Sequence, residues 1–261
     1  MDLYSRRYKC RYRYPRELRI IGDIVGSKYK FNNIKSKVFP FVSEGCRFTD
    51  GTVMTVAVAK ALLHSRNRET PFKTNLIQEM QFLGRKYPYA GYSRRFSSWL
   101  NAKEPQPYNS YGNGSAMRVS PCGLIAVELE EAITLARVSA EVTHNHSEGI
   151  KGAEATAAAV FLAKSERNKQ KIGSYISQHY YNLSQTLGEI RPIYKPYTTC
   201  QNTVPQAIIA FLESQNFEDA IRNAISLGGD SNTLAAITVL MTMVKIMIKK
   251  LDESGRSIAM R

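Results

Sequence analysis

The stretch RFTDGTVMTVAVAKALL, residues 47–63, joins a short polar segment to a longer apolar one. No formal charge occurs between Asp50 and Lys60, so the apolar part predicts a helix that is buried on most of its faces. A second stretch, GGDSNTLAAITVLM at 228–241, has the same arrangement. Two polar loops that each precede a buried helix predict a helical core with polar side chains gathered at helix N-termini.

Helical spacing of apolar residues dominates the rest of the chain. In FKTNLIQEMQFLGRK (72–86), apolar residues recur every three or four positions, as they do on one face of a helix. Only YKCRYRY (8–14) alternates like a strand, and it is too charged to face a core. We therefore predict an all-α fold of about eight to ten helices. The other predicted helices are 52–64, 128–142, 149–166, 170–188, one that begins at Pro205, one capped by Asn216, and the final apolar run.

The segments between these helices hold most of the unusual residues. Each combines Gly with Ser, Thr, Asn or Asp next to an apolar helix, and we interpret them as loops. Helix ends offer free N–H groups, so such loops would build a polar pocket in an all-α protein. The predicted loops are 22–31, 47–52, 110–121, 143–149 and 227–233.

Composition limits the domain organisation. The chain has 261 residues, 43% of them hydrophobic, and no linker rich in Pro, Gly or Ser divides it. We predict one domain over residues 18–261, preceded by a basic arm over residues 1–17. The four cysteines are isolated and form no CxxC pair, which argues against structural zinc and favours reduced thiols. These are Cys10, Cys46, Cys122 and Cys200.

Nothing in the sequence predicts a membrane protein. The N-terminus lacks the apolar run of a signal peptide. The most apolar segment, 234–248, is interrupted by Thr238, Thr242 and Lys245 and is shorter than the roughly 18 to 20 residues of a membrane span. We expect a cytoplasmic protein with no membrane contact, and a monomer.

The chain is strongly basic, with a formal net charge of +14. Much of this charge lies in residues 4–19, where seven Arg or Lys residues alternate with tyrosines against one acid, Glu17. Basic and aromatic residues together can bind a phosphate backbone and stack on bases. The arm is either a solvated extension or a contact for nucleic acid or another acidic partner.

The two polar loops contain oxygen ligands that suit a hard cation. Thr49 and Asp50 precede one buried helix, and Asp230, Asn232 and Thr233 precede or begin the other. Hydroxyl and carboxylate oxygens at one point favour Mg²⁺. The alternative is that these residues are only N-caps, because helix N-termini favour the same residue types.

Five motifs together resemble the ADP-ribosylglycohydrolase family, of the dinitrogenase-reductase-activating glycohydrolase type. The resemblance covers roughly residues 18–240 and implies an all-α fold around a cleft that binds ADP-ribose. It also implies two Mg²⁺ ions and hydrolysis of an N- or O-glycosidic bond at C1″ of the ribose. The motifs are GDIVGS (22–27), FTDGTVMTVAVAKALL (48–63), YGNGSAMRVSP (111–121), THNH (143–146) and LGGDSNTLAAI (227–237).

The chain departs from the family pattern at three positions. Lys30 stands where the family has a glutamate, and Gly51 and Asn232 stand where it has aspartates. These differences make the site more positive by four charges than the pattern, so we expect weak or absent Mg²⁺ binding. Lys30 either stands in for a metal, pairing with an aspartate or a ligand phosphate, or lies on an exposed loop. The candidate metal ligands are Thr49, Asp50, Asp230, Asn232 and Thr233.

The resemblance also implies residues that contact the substrate. Asp50 and Asp230 are the candidate catalytic residues. Arg118 either binds a phosphate or ties down its loop. The candidate substrate-binding residues are Asp23, Ser110, Tyr111, Gly112, Asn113, Gly114, Met117, His144 and Gly229.

Three hypotheses about function remain. In the first, the protein binds ADP-ribose or ADP-ribosylated proteins or nucleic acids, and hydrolysis is weakened or lost. In the second, it is a hydrolase that uses one metal or none, with Asp50 or Asp230 assisting attack by water. In the third, it is an interaction protein whose basic arm binds nucleic acid.

Overall fold

A computed structural model describes residues 18–66, 70–165 and 168–253, so the basic arm lies outside the described residues. Within these ranges every regular element is helical, which confirms the all-α prediction. The helices are α1 (Leu18–Ser27), α2 (Asp50–Arg66), α3 (Phe72–Lys86), α4 (Arg94–Asn101), α5 (Gly114–Arg118), α6 (Ser120–Ile125), α7 (Leu129–Glu141), α8 (Ser147–Ser165), α9 (Lys169–His179), α10 (Leu187–Ile193), α11 (Val204–Leu212), α12 (Phe217–Ser226) and α13 (Ser231–Glu253), with a 3₁₀ helix at Cys200–Asn202.

The predicted number of helices was too low, since the described part of the chain contains thirteen α-helices. The additional ones are short: α4, α5, α6 and α10 have only five to eight residues each. One or two turns contain too few residues to produce a recognisable apolar period. The predicted helix over 170–188 was wrong in its second half, because α9 ends at His179 and α10 begins at Leu187 with a Thr186 capping box.

The segment GDIVGS was predicted as a loop and is the last part of α1. Its two glycines, Gly22 and Gly26, lie in close contact with the backbone of α13. A Cβ at Gly22 would lie 2.5 Å from the carbonyl oxygen of Ala235, and one at Gly26 would lie 2.5 Å from Cα of Asn232. The glycines therefore allow two helix backbones to touch, which offsets their low helix propensity.

The core forms around α8 and α13. The alanine-rich α8 is buried along most of its length and packs against α5, α6, α7 and α13. The described side chains of α13 from Ser231 to Thr242 are all buried. A second cluster joins α2, α3 and α4 through residues that include Met80 and Trp99. Among the described residues, no helix is long and apolar enough to cross a bilayer.

Two helix N-termini meet at the centre of this arrangement. The carboxylate of Asp23, on α1, accepts hydrogen bonds from the backbone N–H groups of Thr49 and Thr52 at 2.7 and 3.2 Å. A residue from one helix thereby caps the start of α2. Asn216 caps α12 through Asp219 N–H, as the sequence predicts. Asn232, at the start of α13, also donates to Asp23, so the N-termini of α2 and α13 meet at this residue of α1 and the two polar loops converge there.

Candidate functional site

A polar cavity of about 360 Å³ opens between the N-terminal ends of α2, α5 and α13. All five segments predicted as loops contribute to its wall: the segment that holds Lys30, the loops before α2 and α13, the glycine loop before α5, and the turn that holds His144. The lining residues are Lys30, Asp50, Met54, Gly91, Ser93, Phe96, Tyr108, Ser110, Gly112, Asn113, Gly114, Met117, Arg118, His144, Thr198, Asp230 and Thr233.

Lys30 lies in the wall of this cavity and forms an ion pair. Its Nζ atom is 3.1 Å from Oδ1 of Asp230, whose side chain is 6% exposed. Burial lowers the pKa of Lys30, but the charges of Asp230 and Asp50 outweigh it, so the net pKa is raised and the ammonium stays charged. The structure thus favours the pairing of Lys30 with an aspartate over an exposed loop position.

Asp50 is the second carboxylate of the cavity. Burial raises its pKa to about 7, with the ammonium of Lys30 acting in the opposite direction and the charges of Asp23 and Asp230 adding to the rise. Its Oδ1 atom accepts a hydrogen bond from the N–H of Gly51 at 3.1 Å. The Lys30 ammonium is therefore the cation that both cavity carboxylates face.

Asp23 and Asn232 form a closed hydrogen-bond network behind this pair. Both Thr49 and Thr52 donate their hydroxyls to the Asp23 carboxylate, the latter at 2.6 Å. The amide of Asn232 donates to Asp23 Oδ1 at 3.1 Å and to Thr49 Oγ1 at 2.9 Å. The side-chain oxygens of Asp23 and Thr49, which the sequence predicts as substrate and metal ligands, are thereby engaged as acceptors within the protein.

Gly51 marks a narrow point between Met117 and Asp23. A Cβ at this position would lie 3.0 Å from the sulfur of Met117 and 3.2 Å from Oδ1 of Asp23. An aspartate here would bring a further carboxylate next to that of Asp23. Two like charges in contact are unfavourable unless a cation lies between them.

The residues present do not suit the pair of Mg²⁺ ions that the resemblance implies. Mg²⁺ requires oxygen ligands in near-octahedral geometry. Here Lys30 brings an ammonium to Asp230, and Asn232 directs N–H groups at Asp23 and Thr49. Among the described residues, no group of three or more His, Cys, Asp or Glu side chains has an arrangement that could hold a metal ion. In this cavity the ammonium of Lys30, rather than a metal ion, neutralises the negative charge of the carboxylates.

A second cation, which is buried, also lines the cavity. Arg118 is 1% exposed and donates to the carbonyl of Ser139 at 2.6 Å and to the hydroxyl of Thr143 at 2.8 Å. Burial lowers its pKa to about 10, so it remains charged. It forms no ion pair with an acid among the described residues. Arg118 therefore ties α5 to the end of α7, and its charge remains available to an anion.

His144 extends this chain of contacts toward the glycine loop. The hydroxyl of Thr143 accepts from Arg118 and lies 2.7 Å from Nδ1 of His144, so it can donate its own proton there. Burial and the charge of Arg118 hold the pKa of His144 well below its ordinary value, so the ring is neutral. The proton then resides on Nε2, which faces Gly112 and Gly114: a Cβ at either glycine would be 3.5 Å from it.

The glycine loop is held from both sides. Asn113 donates its side-chain amide to Asp230 Oδ2 at 2.9 Å and its backbone N–H to the carbonyl of Thr198 at 2.8 Å. Gly112 and Thr199 form an isolated antiparallel bridge. The segment after α10 thereby closes one wall of the cavity.

The structure brings most of the predicted site residues together and leaves five outside the cavity wall. Those in the wall are Asp50, Ser110, Gly112, Asn113, Gly114, Met117, His144, Asp230 and Thr233. Thr49, Asn232 and Asp23 lie behind it in the hydrogen-bond network. Tyr111 is half exposed, with its ring 5.2 Å from that of His146. Gly229 has φ of +75° and forms the turn beside Tyr194 rather than the cavity.

Six lining residues were not predicted as site residues from the sequence. They come from the loop before α4, from α4 itself, from position 108, from the segment after α10, and from α2. The polar, glycine-containing sequence YAGYS at 89–93 is a signal that could have indicated the first of them, and Ser93 indeed caps α4. The residues are Gly91, Ser93, Phe96, Tyr108, Thr198 and Met54.

Comparisons with known proteins agree with the motifs. The family model described as ADP-ribosylglycohydrolase matches residues 19–239. ADP-ribosylhydrolase ARH3 of Mus musculus is 29% identical over 204 residues, covering 67% of this chain and 52% of that protein. The Homo sapiens protein of the same name is also 29% identical, covering 67% and 53%. The chain thus spans about half the length of these relatives.

A solved structure titled "ADP-ribosylglycohydrolase-related protein complex" has the same fold. It superposes with a TM-score of 0.67 over 88% of this chain and 84% of that one. The sequence identity is 20%, so this similarity concerns the fold alone.

Proposed function

The chain belongs to the ADP-ribosylglycohydrolase family, and from this premise we propose that it binds ADP-ribose or ADP-ribosylated targets with hydrolysis weakened or lost. The observation that carries the proposal is the 3.1 Å ion pair between Lys30 and Asp230 in the cavity wall. A lysine ammonium supplies one positive charge and no open coordination position. An anionic ligand can still bind beside this ammonium. The ammonium cannot coordinate a water molecule and activate it as a metal ion would.

The part of the cavity wall that contains Arg118 and the glycine loop supports binding of a diphosphate. Arg118 is a buried cation with no acidic partner among the described residues, and a buried charge is costly unless an opposite charge approaches it. Gly112 and Gly114 leave room for close approach to their backbone, and Nε2–H of His144 faces the same space. An anionic ligand group would accept hydrogen bonds there and balance the charge of Arg118.

The contacts of the two cavity carboxylates support the proposal that hydrolysis is weakened or lost. A general base must lie free to accept a proton from water. Asp230 is engaged by Lys30 on one oxygen and by Asn113 on the other. Asp50 remains, with a pKa of about 7, but it faces the same ammonium. The cavity thus retains positive charge that can bind an anion. The Asp230 carboxylate is already paired with Lys30, and the Asp50 carboxylate faces the same ammonium, so neither is a free general base.

Calorimetry tests the binding. ADP-ribose is titrated into the full chain once in EDTA and once with Mg²⁺, and we expect the same affinity in both. Affinity that requires Mg²⁺, with two ions bound per chain, would contradict the proposal. If ADP-ribose does not bind in either buffer, the third hypothesis, an interaction protein with an unused cavity, replaces it.

A release assay on an ADP-ribosylated protein tests the loss of hydrolysis. We expect no release by the parent chain and Mg²⁺-dependent release by the variant that combines Lys30→Glu, Gly51→Asp and Asn232→Asp. Release by the parent in EDTA would instead support the hydrolase that works with one metal or none.

A further inference from the structure

A surface beside the cavity combines exposed aromatic and basic side chains. The aromatic residues are Phe48, Tyr87 and Tyr89, and the rings of Phe48 and Tyr87 meet edge to face at 5.7 Å. Tyr89 is 96% exposed. Contiguous exposed apolar surface commonly marks a site of interaction, whereas single exposed residues do not.

Backbone contacts fix this surface at the mouth of the cavity. Phe48 immediately precedes Thr49 at the start of α2, and the N–H of Asp50 donates to the carbonyl of Ala90 at 2.8 Å. The loop that contains Tyr87 and Tyr89 is therefore bound to the same helix end. Its next residues, Gly91 and Ser93, are part of the cavity wall.

Three cations lie on the same segments as these rings. Arg47 precedes Phe48, Lys86 lies 5.8 Å from the centre of the Tyr87 ring, and Arg94 follows Ser93. None of them pairs with an acid among the described residues, and the segment from Arg85 to Lys103 contains no acidic residue. We call the group of Arg47, Phe48, Lys86, Tyr87, Tyr89 and Arg94 the basic-aromatic rim.

We propose that the basic-aromatic rim binds single-stranded nucleic acid and leads the strand past the mouth of the cavity. Unpaired arginine and lysine side chains neutralise phosphates, and exposed rings stack on unpaired bases. An acidic peptide would satisfy the cations but would leave Tyr89 without a partner, so the rings favour a strand with bases. Binding at the rim does not require that the cavity bind ADP-ribose.

Fluorescence anisotropy with the full chain and a labelled single-stranded oligonucleotide of about 12 nucleotides tests the proposal. We expect binding that weakens with salt. Replacing two cations, Arg47→Gln with Arg94→Gln, should reduce the slope of log affinity against log salt by about 1.4, at about 0.7 per lost phosphate contact. Tyr89→Leu should weaken binding by about fivefold or more, whereas Tyr89→Phe keeps the ring and should bind like the parent.

Matched variants separate the rim from the net charge of the chain. Lys73→Gln with Lys171→Gln also removes two exposed positive charges, from α3 and α9, and should leave the salt slope unchanged. The proposal is overturned if the oligonucleotide does not bind, or if the rim variants bind it like the parent, which would assign binding to other basic residues. It is also overturned if poly-glutamate binds with the same affinity and the same dependence on Tyr89. Calorimetry with free ADP-ribose reports on the cavity separately.

Discussion

The amide nitrogen of Asn232, at the start of α13, lies 3.1 Å from the carboxylate of Asp23 on α1 and donates to it. The same amide donates to Thr49 at the start of α2. One neutral side chain thereby links three helices around a buried carboxylate. The amide oxygen has no hydrogen-bond partner among the described residues, so it is the N–H groups that determine the fit.

Asn232→Asp should therefore destabilise the protein. The substitution replaces two donors with a carboxylate beside Asp23, and an uncompensated buried charge typically costs about 3 kcal/mol. Urea denaturation at neutral pH measures the change. Asn182→Asp is the matched control, because Asn182 is exposed and uses its oxygen as an acceptor for Ser184 N–H, which an aspartate preserves. Equal stability of the two variants would contradict the role of the Asn232 amide.

Lys30→Met should raise the pKa of Asp50 above its value of about 7. Burial already raises this pKa, and the Lys30 ammonium is what opposes the rise by favouring the ionised form. A pH titration of the Asp50 side-chain carbon by NMR measures the shift. Lys28→Met, which removes a lysine whose ammonium donates to Ser43, should leave the titration unchanged. If the pKa of Asp50 is the same in the parent and in Lys30→Met, the Lys30 ammonium does not face Asp50 in solution.

Gly26→Ala should destabilise the packing of α1 on α13. Its Cβ would approach Cα of Asn232 to 2.5 Å, and forced overpacking of this kind costs about 1–3 kcal/mol. Gly188→Ala is a helical control in which the nearest atom, Oγ1 of Thr186, is 3.8 Å away. There the substitution should be neutral or stabilise by up to about 1 kcal/mol. Thermal denaturation of both variants checks the difference in sign.

Thr143→Val should change the tautomer of His144. The hydroxyl is the group that donates to Nδ1, and valine removes this donor while keeping nearly the same shape. Nitrogen-15 NMR of the parent should show a neutral ring with the proton on Nε2, at pH values where an ordinary histidine titrates. The variant should show a mixture of tautomers. A parent with its proton on Nδ1 would contradict the chain of contacts from Arg118.

The Lys37–Asp219 pair gives a dependence of stability on pH. Partial burial raises the pKa of Asp219, but hydrogen bonds from Lys37 and from the N–H of Gln215 outweigh it and hold the pKa below its ordinary 3.8. The stabilisation is therefore present above about pH 3.8 and is lost as pH falls through the lowered pKa. Urea midpoints measured between about pH 2 and pH 5 should fall less steeply for Asp219→Asn than for the parent. Parallel curves would show that the pair contributes nothing.

Sequence patterns predicted the long helices and the converging loops well. The predicted bounds of α3 match its ends at Phe72 and Lys86, because its apolar residues keep one period throughout. The second half of α1, predicted as a loop, was wrong for a physical reason. Glycines at positions 22 and 26 indicate a loop when read locally, and only the facing backbone of α13, some two hundred positions later, makes a helix favourable there.

In the candidate site too, features that depend on contacts between distant parts of the chain could not be predicted from the sequence. Asp50 and Asp230 were predicted from the loops in which they lie, but the partner of Lys30 was left open between an aspartate, a phosphate and solvent. The choice depends on the course of the segment between α1 and α2, which has no regular element and hence no period to interpret. Tyr108 and Thr198 reach the cavity through tertiary packing, for which a single sequence gives little signal.

The narrow space at Gly51 has a consequence for how this sequence can change over generations. A return to the family pattern would require acids at positions 30, 51 and 232, and each such change taken alone adds negative charge beside Asp23, Asp50 or Asp230 without adding a cation. Each of these substitutions made alone is therefore expected to lower the stability of the protein. The residues at positions 30, 51 and 232 are compatible as a set, so replacing one of them calls for a compensating change at another or for a bound cation.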